Sequence, residues 1–297
     1  MTKSAFVTII GRPSAGKSSL LNALCGAKVS IVSPVPQTTR NAVRGIVTRD
    51  DCQLVFIDTP GMHISNKKYN KRLTQTAVAA LSDADIILYL IDSTRPPGAE
   101  EEEIARKAVD IYGGIDSGLP GKSIIIAVNK IDAKESNAKK CTEFIDMRFP
   151  GFLEEHIVMI SALEKTNLDV LLNLLQSLAA PGPFYYDGEF YTDQDVQFRI
   201  SEIVREKCCL LLREEIPHAV YVDVTDAKLQ GKSLSVSVFI RCERESQKGM
   251  IVGKNGEMIH KIRAASLLEL KKIFDWNIKL DMRVKTDKNW RQRVHNA

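Results

Sequence analysis

The chain has 297 residues, enough for two domains with separate cores, and its 44% hydrophobic and 26% charged content is that of an ordinary globular protein. No run reaches the roughly 18 successive apolar residues of a membrane span, and the start, MTKSAFVTII, has neither the apolar stretch nor the cleavage site of a signal peptide. The cysteines, at 25, 52, 141, 208, 209 and 242, form no CxxC pair and have no histidine cluster beside them, which argues against a zinc site and for reduced thiols in the cytoplasm.

Net charge is +4 but uneven: residues 241–297 hold 14 Lys+Arg against 7 Asp+Glu, a net +7, so the rest of the chain carries −3. A basic C-terminal part suits an anionic partner there. Apolar, β-rich runs recur at 5–10, 53–58, 85–92, 122–130 and 156–162. Between most of them lie segments of helical period, at 18–26, 72–81, 101–112 and 168–178. Nearly continuous apolar strands alternating with helices predict an α/β, doubly wound, mostly parallel sheet over 1–180. Residues 181–195, rich in Pro, Gly, Asp and aromatics, have no period. They read as a linker, partly packed through Phe184, Tyr185 and Tyr186. From 196 to 297 the order changes to an α+β module. A helix at about 195–215 precedes two alternating strands joined by KLQGKS; a glycine loop, a helix at about 257–274 and a strand at about 277–285 follow.

GRPSAGKS (11–18) fits GxxxxGK[ST] between an apolar strand and a helix, the setting of a phosphate loop. Gly11 and Gly16 let the backbone curl so that the N–H groups of Arg12, Pro13's neighbours Ser14 and Ala15, and Ser19 surround phosphate oxygens. Lys17 is placed to reach the β- and γ-phosphates, and the Ser18 hydroxyl to bind Mg²⁺. DTPG ends a strand with Asp58, a carboxylate for the magnesium ion through water. Thr59 and Pro60 lead to Gly61, whose N–H can meet the γ-phosphate. NKID ends another strand: Asp132 can accept from guanine N1–H and the 2-amino group, Lys130 can cover the base, and Asn129 completes the motif. SAL, Ser161 to Leu163, offers backbone to guanine O6 through Ser161 and Ala162. Met62 follows DTPG and cannot activate water, which predicts slow intrinsic hydrolysis; His63 reads as a solvated loop residue.

The second glycine loop, VGKNG, has two residues between its glycines and no GK[ST] after it, so it is not a second cradle of that kind. GxxG between apolar residues and a helix, in a basic segment, fits a KH module, which clamps about four nucleotides by their backbone. Its expected contacts are Ile251, Val252, Gly253, Lys254, Asn255, Gly256 and Lys261.

The ordered set GRPSAGKS, DTPG, NKID and SAL resembles the translation-factor-like branch of P-loop GTPases, and PQTTR (36–40) resembles its switch-one motif. By that resemblance Thr39, with Thr38 the neighbouring alternative, closes on Mg²⁺ when GTP is bound, making Lys17, Thr39 and Gly61 the catalytic set. The family often has Asn where Ser14 stands, which puts potassium activation in doubt. A P-loop GTPase joined to a C-terminal type II KH module looks like the Era family, over nearly the whole chain; VKTDKNWR (284–291) resembles the family's end. The resemblance implies GTP/GDP and Mg²⁺ as ligands, binding of the single-stranded 3′ end of small-subunit (16S) rRNA, and a role in 30S ribosomal subunit biogenesis by a monomer. Switch one, switch two (about 59–72) and the linker would tie nucleotide to domain placement. Weak peripheral association with the inner membrane face is a further expectation. A rival stays open: a membrane- or cell-division-associated signalling switch whose KH-like module binds other partners.

Overall fold

The computed structural model describes residues 1–36, 38–61, 81, 84–112 and 123–290. The expected helix at 72–81, most of switch two, and Met62 and His63 lie outside the described residues. The chain divides into two compact units, Met1–Ser30 with Thr39–Asp193, and Ile31–Thr38 with Gln194–Ala297.

In the first unit, β1 (Lys3–Ile10) leads to α1 (Lys17–Cys25), then β2 (Val43–Arg49), β3 (Cys52–Asp58) and β4 (Ile86–Asp92). α2 (Ala99–Tyr112), β5 (Ser123–Asn129), α3 (Ala138–Arg148), β6 (Ile157–Met159), α4 (Leu168–Leu178) and β7 (Ala180–Pro181) follow. The sheet runs β2-β3-β1-β4-β5-β6, with β7 antiparallel to the start of β1. β1, β3, β4, β5 and β6 pair in parallel, and β2 is antiparallel to β3. β3 and β4 are buried along their whole length, as two-sided coverage demands of continuous apolar runs. Helix α4 buries Leu168, Leu171, Leu172 and Leu175, the three-and-four spacing of one face. The parallel order sends the carboxyl ends of β1, β3, β4 and β5 to one edge, where such sheets bind ligands.

Strand β2 and helix α3 are absent from the sequence reading. β2 carries Arg44 and Arg49 and faces water at several positions, so it lacks an apolar run. α3 buries only Cys141, Phe144 and Ile145 among its polar residues; its N-cap is the Asn137 side chain, accepting from Lys140 N–H.

The stretch read as a linker is bonded into this unit. Gln53 Oε1 accepts from the N–H groups of Tyr185 and Tyr186 at 2.8 and 2.9 Å, and its Nε2 donates to Tyr186 O at 2.9 Å. The Phe6 and Tyr185 rings lie 4.5 Å apart. Ile46 N–H donates to Tyr191 O, and Thr192 Oγ1 to Arg44 O. Its backbone polar groups find strand partners, which composition does not reveal.

The second unit holds α5 (Val196–Leu211), the short α6 (Ile216–Ala219), β8 (Tyr221–Gln230), β9 (Ser233–Cys242), α7 (Glu245–Val252), α8 (Glu257–Ile273) and β10 (Asn277–Thr286). Its sheet runs β10-β9-β8, with β8 antiparallel and β10 parallel to β9. The inward row Leu234, Val236, Val238, Ile240 and Cys242 of β9 meets Ile200, Val204, Ile251, Ile262 and Leu270 from the helices in one core. α7 was hidden in the sequence by Gly249, a poor helix former inside it.

Candidate nucleotide and nucleic-acid sites

The phosphate loop curls between β1 and α1. Gly16 ends it in the left-handed region, φ 100°, and a Cβ there would lie 2.4 Å from Asn129 Nδ2, so only glycine fits. Lys17 is buried and its Nζ donates to Gly11 O at 3.0 Å and Arg12 O at 3.1 Å. Burial lowers its pKa, against the pull of the Asp58 and Glu101 carboxylates.

Three oxygen-bearing side chains meet next to it. Ser18 Oγ donates to Asp58 Oδ2 at 2.6 Å and lies 3.0 Å from Thr39 Oγ1, which is 3.5 Å from the same carboxylate oxygen. Ser30 Oγ also donates to Asp58 Oδ2, at 2.9 Å. Asp58 is fully buried, its Oδ1 has no hydrogen-bond partner, and burial raises its pKa against Lys17 and the three hydroxyls. A hard, all-oxygen set with an unsatisfied carboxylate oxygen fits Mg²⁺, which takes one or two carboxylates with hydroxyls, waters and phosphates. Of the two switch-one threonines, Thr39 joins this group, whereas Thr38 Oγ1 donates to Val35 O.

At the other end of the site, Asn129 Nδ2 donates to Ala15 O at 2.9 Å and Lys130 Nζ to Ser14 O at 2.8 Å, tying NKID to the phosphate loop. Lys130 Nζ also pairs with Asp92 Oδ2 at 2.8 Å. Asp132 is exposed at the end of the motif, its carboxylate open to a base. The N–H groups expected to meet guanine O6 have partners already: Ser161 N–H donates to Thr166 O at 3.2 Å and Ala162 N–H to Asn129 Oδ1 at 3.0 Å. Leu163 follows them, 77% exposed.

For Arg12 the phosphate expectation concerns the backbone N–H alone. Its side chain is turned inward, with Nε 3.2 Å from Glu101 Oε1 and NH2 donating to the carbonyls of Asp92 and Arg95. Asp92 and Gln53 are polar residues in buried apolar strands, and that misplacement is the signal that could have singled them out; Glu101 is one of four consecutive glutamates, and nothing in the sequence marks it.

In the second unit GKNG lies between α7 and α8. Gly253 has φ 75°, and a Cβ there would lie 2.8 Å from Met258 N. Lys254, Asn255 and Lys261 are exposed, and Val252 and Gly256 are half-buried. Ile251 is fully buried in the core, so its side chain is not a contact residue; the helix that ends in this loop needs it for packing.

A family model described as 50S ribosome-binding GTPase matches residues 6–130, and a KH domain model matches 215–291. The GTPase Era of Treponema denticola is 46% identical over 98% of this chain and 96% of its own length. The chain belongs to the Era family. The GTPase Era of Borreliella burgdorferi is 42% identical over 97% of the chain and 96% of its own. Among solved structures, a variant of Aquifex aeolicus Era bound to GDP and AlF4⁻ has TM-score 0.87 and 34% identity over 99% of this chain and 97% of that one. An Era complex with MgGDPNP and nucleotides 1506–1542 of 16S ribosomal RNA has the same score, identity and coverage. Era-family membership spans both units, so the phosphate-loop unit and the GxxG unit are one functional chain.

Proposed function

We propose that this chain hydrolyses GTP to GDP and phosphate with Mg²⁺, binds the 3′ region of 16S rRNA through its KH domain, and acts in ribosome biogenesis. The observation that carries this reading is the full-length likeness to an Era structure holding MgGDPNP and 16S RNA together. Ser18 and Thr39 would ligate the metal directly and Asp58 would back it from its buried position. Mg²⁺ supplies neutralisation of the β,γ-phosphate charge. Lys17 swings its ammonium from the carbonyls of Gly11 and Arg12 to the β- and γ-oxygens, exchanging partial charges for full ones. Gly61 N–H would meet the γ-phosphate. Asp132 would accept hydrogen bonds from guanine N1–H and the 2-amino group.

In the second unit Lys254, Asn255 and Lys261 would clamp the sugar-phosphate chain at the glycine turn, with the bases on the half-buried apolar residues beside it. A cytoplasmic monomer completes the reading, supported by six free thiols. Two measurements on the full chain test it. GTP should turn over slowly with Mg²⁺ and stop with EDTA, and a fluorescent single-stranded RNA of the 16S 3′-end sequence should bind more tightly than its scrambled control. GTP turnover without RNA preference would leave the rRNA assignment unsupported.

A further inference from the structure

The phosphate loop is anchored from beneath by a buried ionic cluster. Arg12 is 7% exposed and Glu101 is 0% exposed. The guanidinium donates three hydrogen bonds to carbonyls and stands beside Glu101 as an ion pair, without a hydrogen bond between Nε and Oε1. Nε faces Glu101 Oε1 at 3.2 Å; NH2 donates to Asp92 O and Arg95 O, each at 3.3 Å; NH1 donates to Pro96 O at 3.5 Å. The other Glu101 oxygen accepts from the Tyr89 hydroxyl. Glu101 stands in the first turn of α2, where the helix dipole favours an acid. The turn 92–96 is also held from the other side: Asp92 Oδ1 accepts from Thr94 N–H and Oγ1, and Asp92 Oδ2 from Lys130 Nζ, which itself holds Ser14 O. The phosphate loop therefore has two struts to one turn, Arg12 at its start and the Lys130–Ser14 bond at its middle.

A buried ion pair is a poor source of net stability, because desolvation offsets the attraction. Its geometry is another matter. Only a planar guanidinium can meet a carboxylate and three carbonyls at once; an ammonium has three donors at one point. We propose that Arg12, held by Glu101, is a positioning residue for GTP hydrolysis: it fixes where the phosphate-loop N–H groups point, and its contribution is to turnover more than to stability. This rests on the GTPase reading above.

The test is steady-state GTP hydrolysis with thermal melts, on the full chain. Arg12→Lys keeps the charge and loses the fork; Arg12→Met with Glu101→Gln removes both charges, leaves the Tyr89 hydroxyl a partner and strands no ion. Both should lower kcat by about ten- to a hundredfold, the penalty of a misplaced reacting group, with a smaller change in KM and GTP-over-ATP preference intact. Glu101→Gln alone leaves the three carbonyl bonds of Arg12 in place and should stay within about threefold of the parent. Folded variants with parental kcat and only a lower melting point would overturn the proposal, as would equal losses in kcat for all three. Lys17→Ala, run alongside, tests the underlying reading: parental turnover in that variant would sink the GTPase site itself.

Discussion

Asn129 and Ala162 are joined by a hydrogen bond of 3.0 Å from the Ala162 N–H to Asn129 Oδ1, while Asn129 Nδ2 donates to Ala15 O at 2.9 Å. One side chain thus links the base-recognition loop, the strand end of β5 and the phosphate loop. Asn129→Ala strands two buried backbone groups, each at about 1–3 kcal/mol. GDP affinity should fall at least about tenfold and the melting temperature by several degrees. Calorimetric titration and a melt of the same sample check both; unchanged values in both would show that the loops hold themselves.

Asp132 is exposed and carries the guanine assignment alone. Asp132→Asn should move preference from GTP toward XTP, since an amide NH₂ donates to the xanthine 2-oxo group. Each charge-assisted bond lost to guanine is worth about 1.5–3 kcal/mol, so the GTP/XTP selectivity should change by more than a hundredfold. Competition of both nucleotides against a fluorescent GDP reads the ratio directly, and an unaltered ratio removes Asp132 from the site.

Lys254→Asp with Asn255→Asp puts two carboxylates where the glycine turn would meet phosphates. The glycines remain, so the turn should form. Affinity for single-stranded 16S 3′-end RNA should fall by more than a hundredfold, because phosphate contacts dominate, and binding by the parent should weaken with salt at a slope of about 0.7 per neutralised phosphate. GTP turnover without RNA should stay at the parental rate. Equal RNA affinity in parent and variant would make GKNG a structural turn only.

The six cysteines are free, and five are buried. Burial pushes Cys25 up to about 12 and Cys141 up to about 11, and raises Cys208 further. Against the usual thiol value of 9.0, Cys25 then has about a thousandfold less thiolate at neutral pH. Iodoacetamide at pH 7.5 should label native protein slowly and all six positions rapidly in guanidinium, as mass spectrometry would count. Fast native labelling of Cys25 would show that its surroundings open.

The chemistry of the first unit was legible because motif residues must stand at strand ends, and strand ends follow from apolar runs: Asp58 closes β3 and Asn129 closes β5. The glycine turn at 253–256 was legible for a similar reason, since few residues tolerate its backbone. What escaped were elements whose burial is shared out. β2 is an edge strand whose exposed Arg44 and Arg49 break its apolar run, and α3 shows three buried residues in eleven. Arg12 could not be separated from its neighbours, because a loop motif records backbone spacing and not side-chain direction. The linker's aromatics signalled some packing, but its hydrogen bonds did not show: they depend on Gln53, 0% exposed near the start of β3, bonding to residues far along the chain.

The parallel pairing of β10 with β9, begun where Asn277 meets Ser233, has a bearing on when each part of the molecule becomes usable. The last residue of the first unit is Asp193, and Thr286, the end of β10, is made 93 residues later. At about 5–20 residues per second, that separates them by roughly 5–20 s of synthesis. During that interval every residue of the nucleotide site has been made, while the glycine turn, set within an unfinished crossover, still lacks the strand that completes the fold around it. Each chain would therefore meet the cellular nucleotide pool first, and its nucleic-acid partner second.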